Sequence, residues 1–233
     1  ILADLEVMSK RLERLSKTAK NDKSLLGELD LVKNIVEELE KEKPARYLEC
    51  SEEEQRLLKT FNLITAKPVL YVANVDEEYI LDPDSNKYVN IVREHAFVDN
   101  SEVIVVCGKI EEEVSVLDDE EKREFLKELG LEESGLDKLI RASYHLLGLI
   151  SFFTTGPMES KAWTIRKGTK APQAAGKIHS DIERGFIRAE VTSYKDVEEY
   201  KTMNAVKEKG LMRLEGKEYI VEDGDIILFR FNV

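Results

Sequence analysis

Two uninterrupted apolar runs constrain this chain most: Lys67-Pro68-Val69-Leu70-Tyr71-Val72-Ala73-Asn74 and Val103-Ile104-Val105-Val106-Cys107. A strand with one face in water alternates apolar and polar residues. A continuous β-branched run is the composition of a strand covered on both faces, as in a parallel sheet. A helical pattern over roughly Tyr88–Phe97 lies between the runs, so the segment reads as a βαβ unit of a parallel α/β sheet. Two more helical patterns, near Asp118–Leu129 and Gly135–Leu147, close this half.

The flanking segments obey other rules. Leu2, Leu5, Met8, Leu12, Leu15 and Ala19 form one helical seam, and Leu25, Leu29, Val32, Val36 and Leu39 form a second, which Pro44 stops. The polar break between them offers Ser24 as an N-cap, and Ser51 and Glu54 stand in capping-box spacing before a shorter helix, about Ser51–Phe61. The two seams fit an antiparallel helical hairpin with charged outer faces or two ordinary bundle helices. From Leu149 short strands alternate with Gly-rich turns: Ile150–Thr154, Ala162–Ile165, Phe186–Val191 and Ile226–Phe231, around one small helix near Ala174–Ile182. Four strands around one helix suit a compact α+β roll of the ubiquitin-like, β-grasp kind. The expected fold class is therefore α/β plus α+β. Its three parts are a helical coiled-coil segment at 1–66, parallel α/β sheet at 67–149, and the roll at 150–233.

Charge is unevenly spread. The 233 residues carry 35 Lys and Arg against 47 Asp and Glu. Residues 1–150 hold a net charge of −13 and residues 151–233 a net +1, with a local +4 over 151–195. A polyanion partner is expected only at the start of the last part. Two cysteines, Cys50 and Cys107, cannot build a disulfide framework or a four-cysteine zinc site. The apolar runs are far short of the ~20 residues a membrane span requires. These features predict a cytoplasmic protein with no membrane partner. Ile1 opens a helical pattern with neither Met nor a capping residue, as a piece of a longer protein would.

Chemistry concentrates at the ends of the two buried runs, where open α/β sheets place ligands. Asn74-Val75-Asp76-Glu77 comes after the first run. In GTPases the corresponding loop reads Asn-Lys-x-Asp, and its carboxylate pairs with both donors on the guanine edge. With Glu77 in the fourth place and no Lys after Asn74, the reason to prefer guanine is gone. Taken alone, Asn74 also reads as a loop residue capping a helix. Cys107-Gly108-Lys109 comes after the second run, where GTPases place a Ser-Ala-Lys loop whose amides touch the base. The bland alternatives are a small buried Cys107 and a strand-exit turn at Gly108.

The segment from Ala162-Trp163-Thr164-Ile165-Arg166-Lys167-Gly168 through His179 to Val191, with the closing Tyr219–Asn232, resembles the TGS domain of the YchF/Obg-like ATPase family. The helical hairpin resembles that family's coiled-coil insertion, and Asn74–Glu77 its altered base-specificity loop. The resemblance implies a ribosome-associated P-loop NTPase that binds and hydrolyses ATP in preference to GTP with Mg2+. It further implies nucleotide-binding roles for Asn74, Val75, Glu77, Cys107, Gly108 and Lys109. It implies a ribosomal RNA surface on the TGS part, and the hairpin is a possible protein-binding element.

The 233 residues contain no G-x-x-x-x-G-K-[ST] phosphate loop, so the chain by itself is predicted to be inactive, with no catalytic residue and no metal ligand. His95, His145 and His179 do not replace them. Arg166, Lys167, Lys170, Lys177, His179, Arg184 and Arg188 are the candidate RNA contacts, with Trp163 either stacking on RNA or filling the core. The competing reading is a non-catalytic module that binds RNA or protein through the TGS-like and hairpin surfaces.

Overall fold

The computed structural model describes residues 1–156 and 159–232. The chain divides into two compact units, residues 1–69 with 98–101, and residues 70–97 with 102–233.

In the first unit α1 (Leu2–Thr18) and α2 (Leu26–Glu40) pack together, with α3 (Glu52–Thr60) after them. Met8, Leu31, Val32, Ile35 and Leu39 of the expected seams and their neighbours form a closed core with Leu63. The residue that caps the turn into α2 is Asp22, not Ser24: its carboxylate accepts the Ser24 amide at 2.9 Å. The Ser51–Glu54 capping box forms as the spacing predicts. The Asp4 carboxylate, nearly buried, accepts the amides of Thr65 at 2.7 Å and Ile64 at 3.1 Å. Arg46 grips Asp99 through two bonds of 2.9 Å, which ties residues 98–101 to this unit.

In the second unit β1 (Leu70–Asn74) and β2 (Glu102–Val106) pair in parallel, in register from Leu70 opposite Glu102 to Asn74 opposite Val106. The crossover is α4 (Lys87–Val98). Three helices come next: α5 (Gly108–Ser115), α6 (Asp119–Glu128) and α7 (Gly135–Leu146). The first of these is a correction, because Gly108 and Lys109 open a helix where a loop was expected. Its cause is local: Cys107 leaves the strand in extended backbone, and Ile110 and Val114 then recur at helical spacing, packing with Cys107 and Leu126.

The remainder is a five-stranded sheet in the order β4 (Ser160–Arg166), β3 (Leu149–Thr155), β7 (Asp225–Phe231), β5 (Phe186–Ser193), β6 (Arg213–Glu215). The first and last strands, β3 and β7, lie side by side in parallel, and every other pair is antiparallel. The expected single helix at Ala174–Ile182 is two, α8 (Ala171–Ile178) and α9 (Ser180–Arg184), broken where His179 takes extended backbone at φ −161°. Two short helices, α10 (Tyr194–Tyr200) and α11 (Met203–Glu208), and the strand β6 lie outside the sequence expectation. One face of the sheet packs against Ala171, Ala174 and Ala175 of α8, around Phe152, Ile165, Val191, Ile227 and Phe229. Trp163 belongs to the edge of this core, and its Nε1 donates to Thr154 Oγ1 at 2.9 Å. The Lys161 ammonium sits 4.4 Å from the centre of its ring. That arrangement favours the core reading of Trp163 over an open stacking surface.

Candidate functional site

Parallel pairing brings the C-terminal ends of β1 and β2 together, and two side-chain links join the segments that leave those ends. Asn74 Oδ1 accepts the Gly108 amide at 2.9 Å, and Glu77 pairs with Lys109 at 2.8 Å. Val75 extends the ladder by donating its amide to the Val106 carbonyl at 2.9 Å. A β-carbon at Gly108 would stand 3.4 Å from Asn74 Oδ1, an ordinary van der Waals contact. The Glu77 carboxylate, by hydrogen bond and charge, holds the Lys109 ammonium above its ordinary lysine value. Cys107 is buried beneath the pair, its side chain in the apolar cluster with Ile110, Val114 and Leu126.

All six sequence-derived base-site residues therefore share one sheet end, with a changed division of labour. The Gly108 amide is occupied by Asn74. The next amides, of Lys109 and Ile110, open α5, where the first helical N–H groups have no partner within the helix. A cavity of 430 Å³ opens beside Asn74 and Val75, lined also by Asp76, Asn86, Tyr88 and Val92. Its walls come from the end of β1 and from α4, not from Cys107–Lys109.

Glu111 is the neighbouring residue that sequence reasoning missed. Its carboxylate accepts the amides of Gly135 at 2.6 Å and Leu136 at 3.0 Å, so it caps α7 from α5. A β-carbon on Gly135 would stand 2.8 Å from Val106 Cγ1, which fixes glycine where α7 crosses the strand that carries the site. The three adjacent acids Glu111, Glu112 and Glu113 gave no sign of which one turns inward.

The basic candidates divide. Arg166, Lys167 and Lys170 cluster at the turn between β4 and α8, where Gly168 takes φ +89°. Lys170 is paired there with Glu218. Lys177 is exposed on the last turn of α8. His179 caps α9 by accepting the Asp181 amide at 3.1 Å, and Arg184 pairs with Asp181. Arg188 alternates with the buried Ala189 and so faces away from α8, with Glu190 and Arg230. The seven do not form one surface; Arg166, Lys167 and Lys170 are close in sequence at one turn.

The six residues gather at one sheet end beside a cavity lined by Asn74 and Val75. The sequence has no phosphate-loop motif, and no group of three or more His, Cys, Asp or Glu among the described residues is placed to hold a metal ion. No helix among the described residues is long and apolar enough to cross a membrane.

A family model described as YchF-GTPase_C, protein of unknown function (DUF933), matches residues 149–232, the five-stranded sheet and its helices. The "Ribosome-binding ATPase YchF" of Bacillus subtilis is 55% identical over 234 residues, covering 100% of this chain and 64% of its own length. The "Obg-like ATPase 1" of Rattus norvegicus is 43% identical, covering 99% of this chain and 59% of its own length. Among solved structures, the Schizosaccharomyces pombe YchF GTPase superposes with a TM-score of 0.86 at 36% identity, over 98% of this chain and 62% of its own. The chain thus spans about three fifths of the length of these relatives. Likeness of this degree runs through both units and both ends of the candidate site, and the chain belongs to the YchF family.

Proposed function

We propose that this chain supplies the base-recognition and ribosome-facing parts of a nucleotide-dependent, ribosome-associated NTPase, with ATP preferred to GTP. In this reading the chain has three functional parts, a coiled-coil hairpin at 1–66, α/β nucleotide domain at 67–149 and a β-grasp TGS domain at 150–233, and works in the cytoplasm. The observation that carries it is the double link between Asn74 and Gly108 and between Glu77 and Lys109 across adjacent parallel strand ends. Strand ends of this kind are where open α/β sheets receive ligands. The relatives that bear the name ATPase are the second support.

Asn74 holds the start of α5 against the end of β1, which leaves the Lys109 amide free to donate to an acceptor on the base. Glu77 is engaged by Lys109 at 2.8 Å, so its carboxylate would have to leave that ion pair to meet the two donors of guanine. Bound Mg2+ and a phosphate loop would supply charge neutralisation and phosphate binding, and both lie outside the residues of this chain.

The test is nucleotide titration calorimetry on the chain extended to the length of its relatives. Asn74→Ala should weaken both nucleotides by roughly tenfold, the worth of a hydrogen bond of about 1–1.5 kcal/mol. Val75→Lys with Glu77→Asp should move preference toward GTP. Unchanged affinities in both variants would sink the base-site assignment.

A further inference from the structure

We propose that the outer edge of β4 is a docking strand for an extended acidic peptide of a partner protein, which joins the sheet as a sixth strand. β4 is an edge strand, paired on one side only, with β3. The hydrogen-bond phase of that pairing is set at both ends. Lys167 donates to the Gly148 carbonyl at 2.8 Å, and Gly156 donates to the Glu159 carbonyl at 2.9 Å. In an antiparallel ladder bonded pairs alternate with unbonded ones. Trp163 and Ile165 therefore bond inward to β3, and the amides and carbonyls of Ala162 and Thr164 point outward. The Arg166 amide points outward too, while its carbonyl is taken by Thr169. Ala162, Thr164 and Arg166 are all exposed.

Charge selects the occupant. From Ser160 to Ser180 the chain has five Lys and Arg and no Asp or Glu, in a protein of net charge −12. Lys161 and Arg166 flank the open amides, so a second copy of β4 would set like charges side by side, which disfavours self-pairing. An acidic strand meets the opposite. Its main chain would take the outward groups of Ala162 and Thr164, and its carboxylates would meet Lys161 on one face of the sheet and Arg166 on the other. This is β-augmentation, in which main-chain bonds supply affinity and alternate side chains specificity.

The probe is a peptide of about nine residues in which Glu-Glu pairs, one carboxylate to each face, are separated by Val or Thr, with a Lys-for-Glu version and a uridine oligonucleotide as comparisons. Amide exchange on the 233-residue chain should show the acidic peptide protecting Ala162, Thr164 and Arg166, residues already held by β3 being unaffected. Ala162→Pro removes one outward amide, a change edge strands tolerate, and should weaken the peptide by at least about tenfold while leaving oligonucleotide binding unchanged. Should that variant fail to fold, Lys161→Glu with Arg166→Glu carries the test, since it should reverse the preference to the Lys peptide. Equal binding of the acidic and Lys peptides, or peptide affinity unmoved by these variants, would overturn the proposal. So would protection of the same amides by the oligonucleotide and not by the acidic peptide, which would give the edge to RNA.

Discussion

The second unit holds two sheets of opposite character. The five-stranded sheet has one face packed into a core: Phe152 is 0% exposed and meets Phe229 edge-on, with ring centres 5.9 Å apart, and the alanines of α8 cover that face. In the β1–β2 pair, which has the more apolar sequence, Val72 is 47% exposed, and only Ile104 of the ten strand residues is buried. Composition states how much cover a strand is built for, and the structure states how much these residues provide. The site at the end of β1 and β2 thus stands on strands built for more cover than this chain gives them, whereas the β4–α8 turn stands on a finished core.

The sharpest way to break that contrast is to remove a side chain from each sheet. Phe152→Ala should cost about 3–5 kcal/mol, the range for a buried aromatic truncated to alanine. Trp163, the single tryptophan, lies at the edge of the same core and reports its unfolding in urea. Val72→Ala, half in water, should cost under about 1 kcal/mol. Equal costs would mean that β1 is as well packed as β3 and that the contrast is false.

The second prediction weighs the basic turn. Reversing Arg166, Lys167 and Lys170 to Glu should weaken co-sedimentation with ribosomes and flatten its salt dependence, each phosphate contact carrying about 0.7–0.9 of the log–log slope. Because Lys170 is already paired with Glu218, Lys170→Glu alone should change the slope less than Arg166→Glu or Lys167→Glu. The melting temperature should hardly move. Undiminished binding by the folded triple variant would transfer the contact to another surface.

The same residues show how far sequence alone reaches. The parallel register of β1 and β2 comes from two continuous apolar runs around a helix, because period and length decide it. Once that register is given, Asn74 and Gly108 must be neighbours. The pairing of Glu77 with Lys109 and of Arg46 with Asp99 depends on side-chain reach across the fold, which no local spacing encodes. Helices α10 and α11 carried legible caps, since the Ser193 and Thr202 hydroxyls accept the Asp196 and Ala205 amides. Both helices have no more than seven residues, too few for a periodic pattern to stand out. The split between α8 and α9 turns on His179 acting as a cap, a role usually taken by Ser, Thr, Asp or Asn.

The smallest expected effect is a pH dependence that the two regions share. Hydrogen bonds from the Ser134 hydroxyl and Lys122 hold the Asp137 carboxyl on α7 below its ordinary value, and Arg230 does the same for Glu190 on β5. A carboxyl depressed in the folded state stabilises the fold at any pH above its unfolded value, near ~4. That contribution is lost as pH falls through the lower folded value. Both pairs are open to solvent on at least one partner, so each is worth at most about 1 kcal/mol and shrinks in salt. Urea midpoints from about pH 7 to pH 3 should therefore fall less steeply for Asp137→Asn and for Glu190→Gln than for the parent chain. Read by Trp163 fluorescence, the change should be larger for Glu190→Gln, because Glu190 lies in the sheet that tryptophan reports. A larger change for Asp137→Asn at that probe would mean that α7 and the five-stranded sheet unfold together, and the division drawn between the two regions would fail.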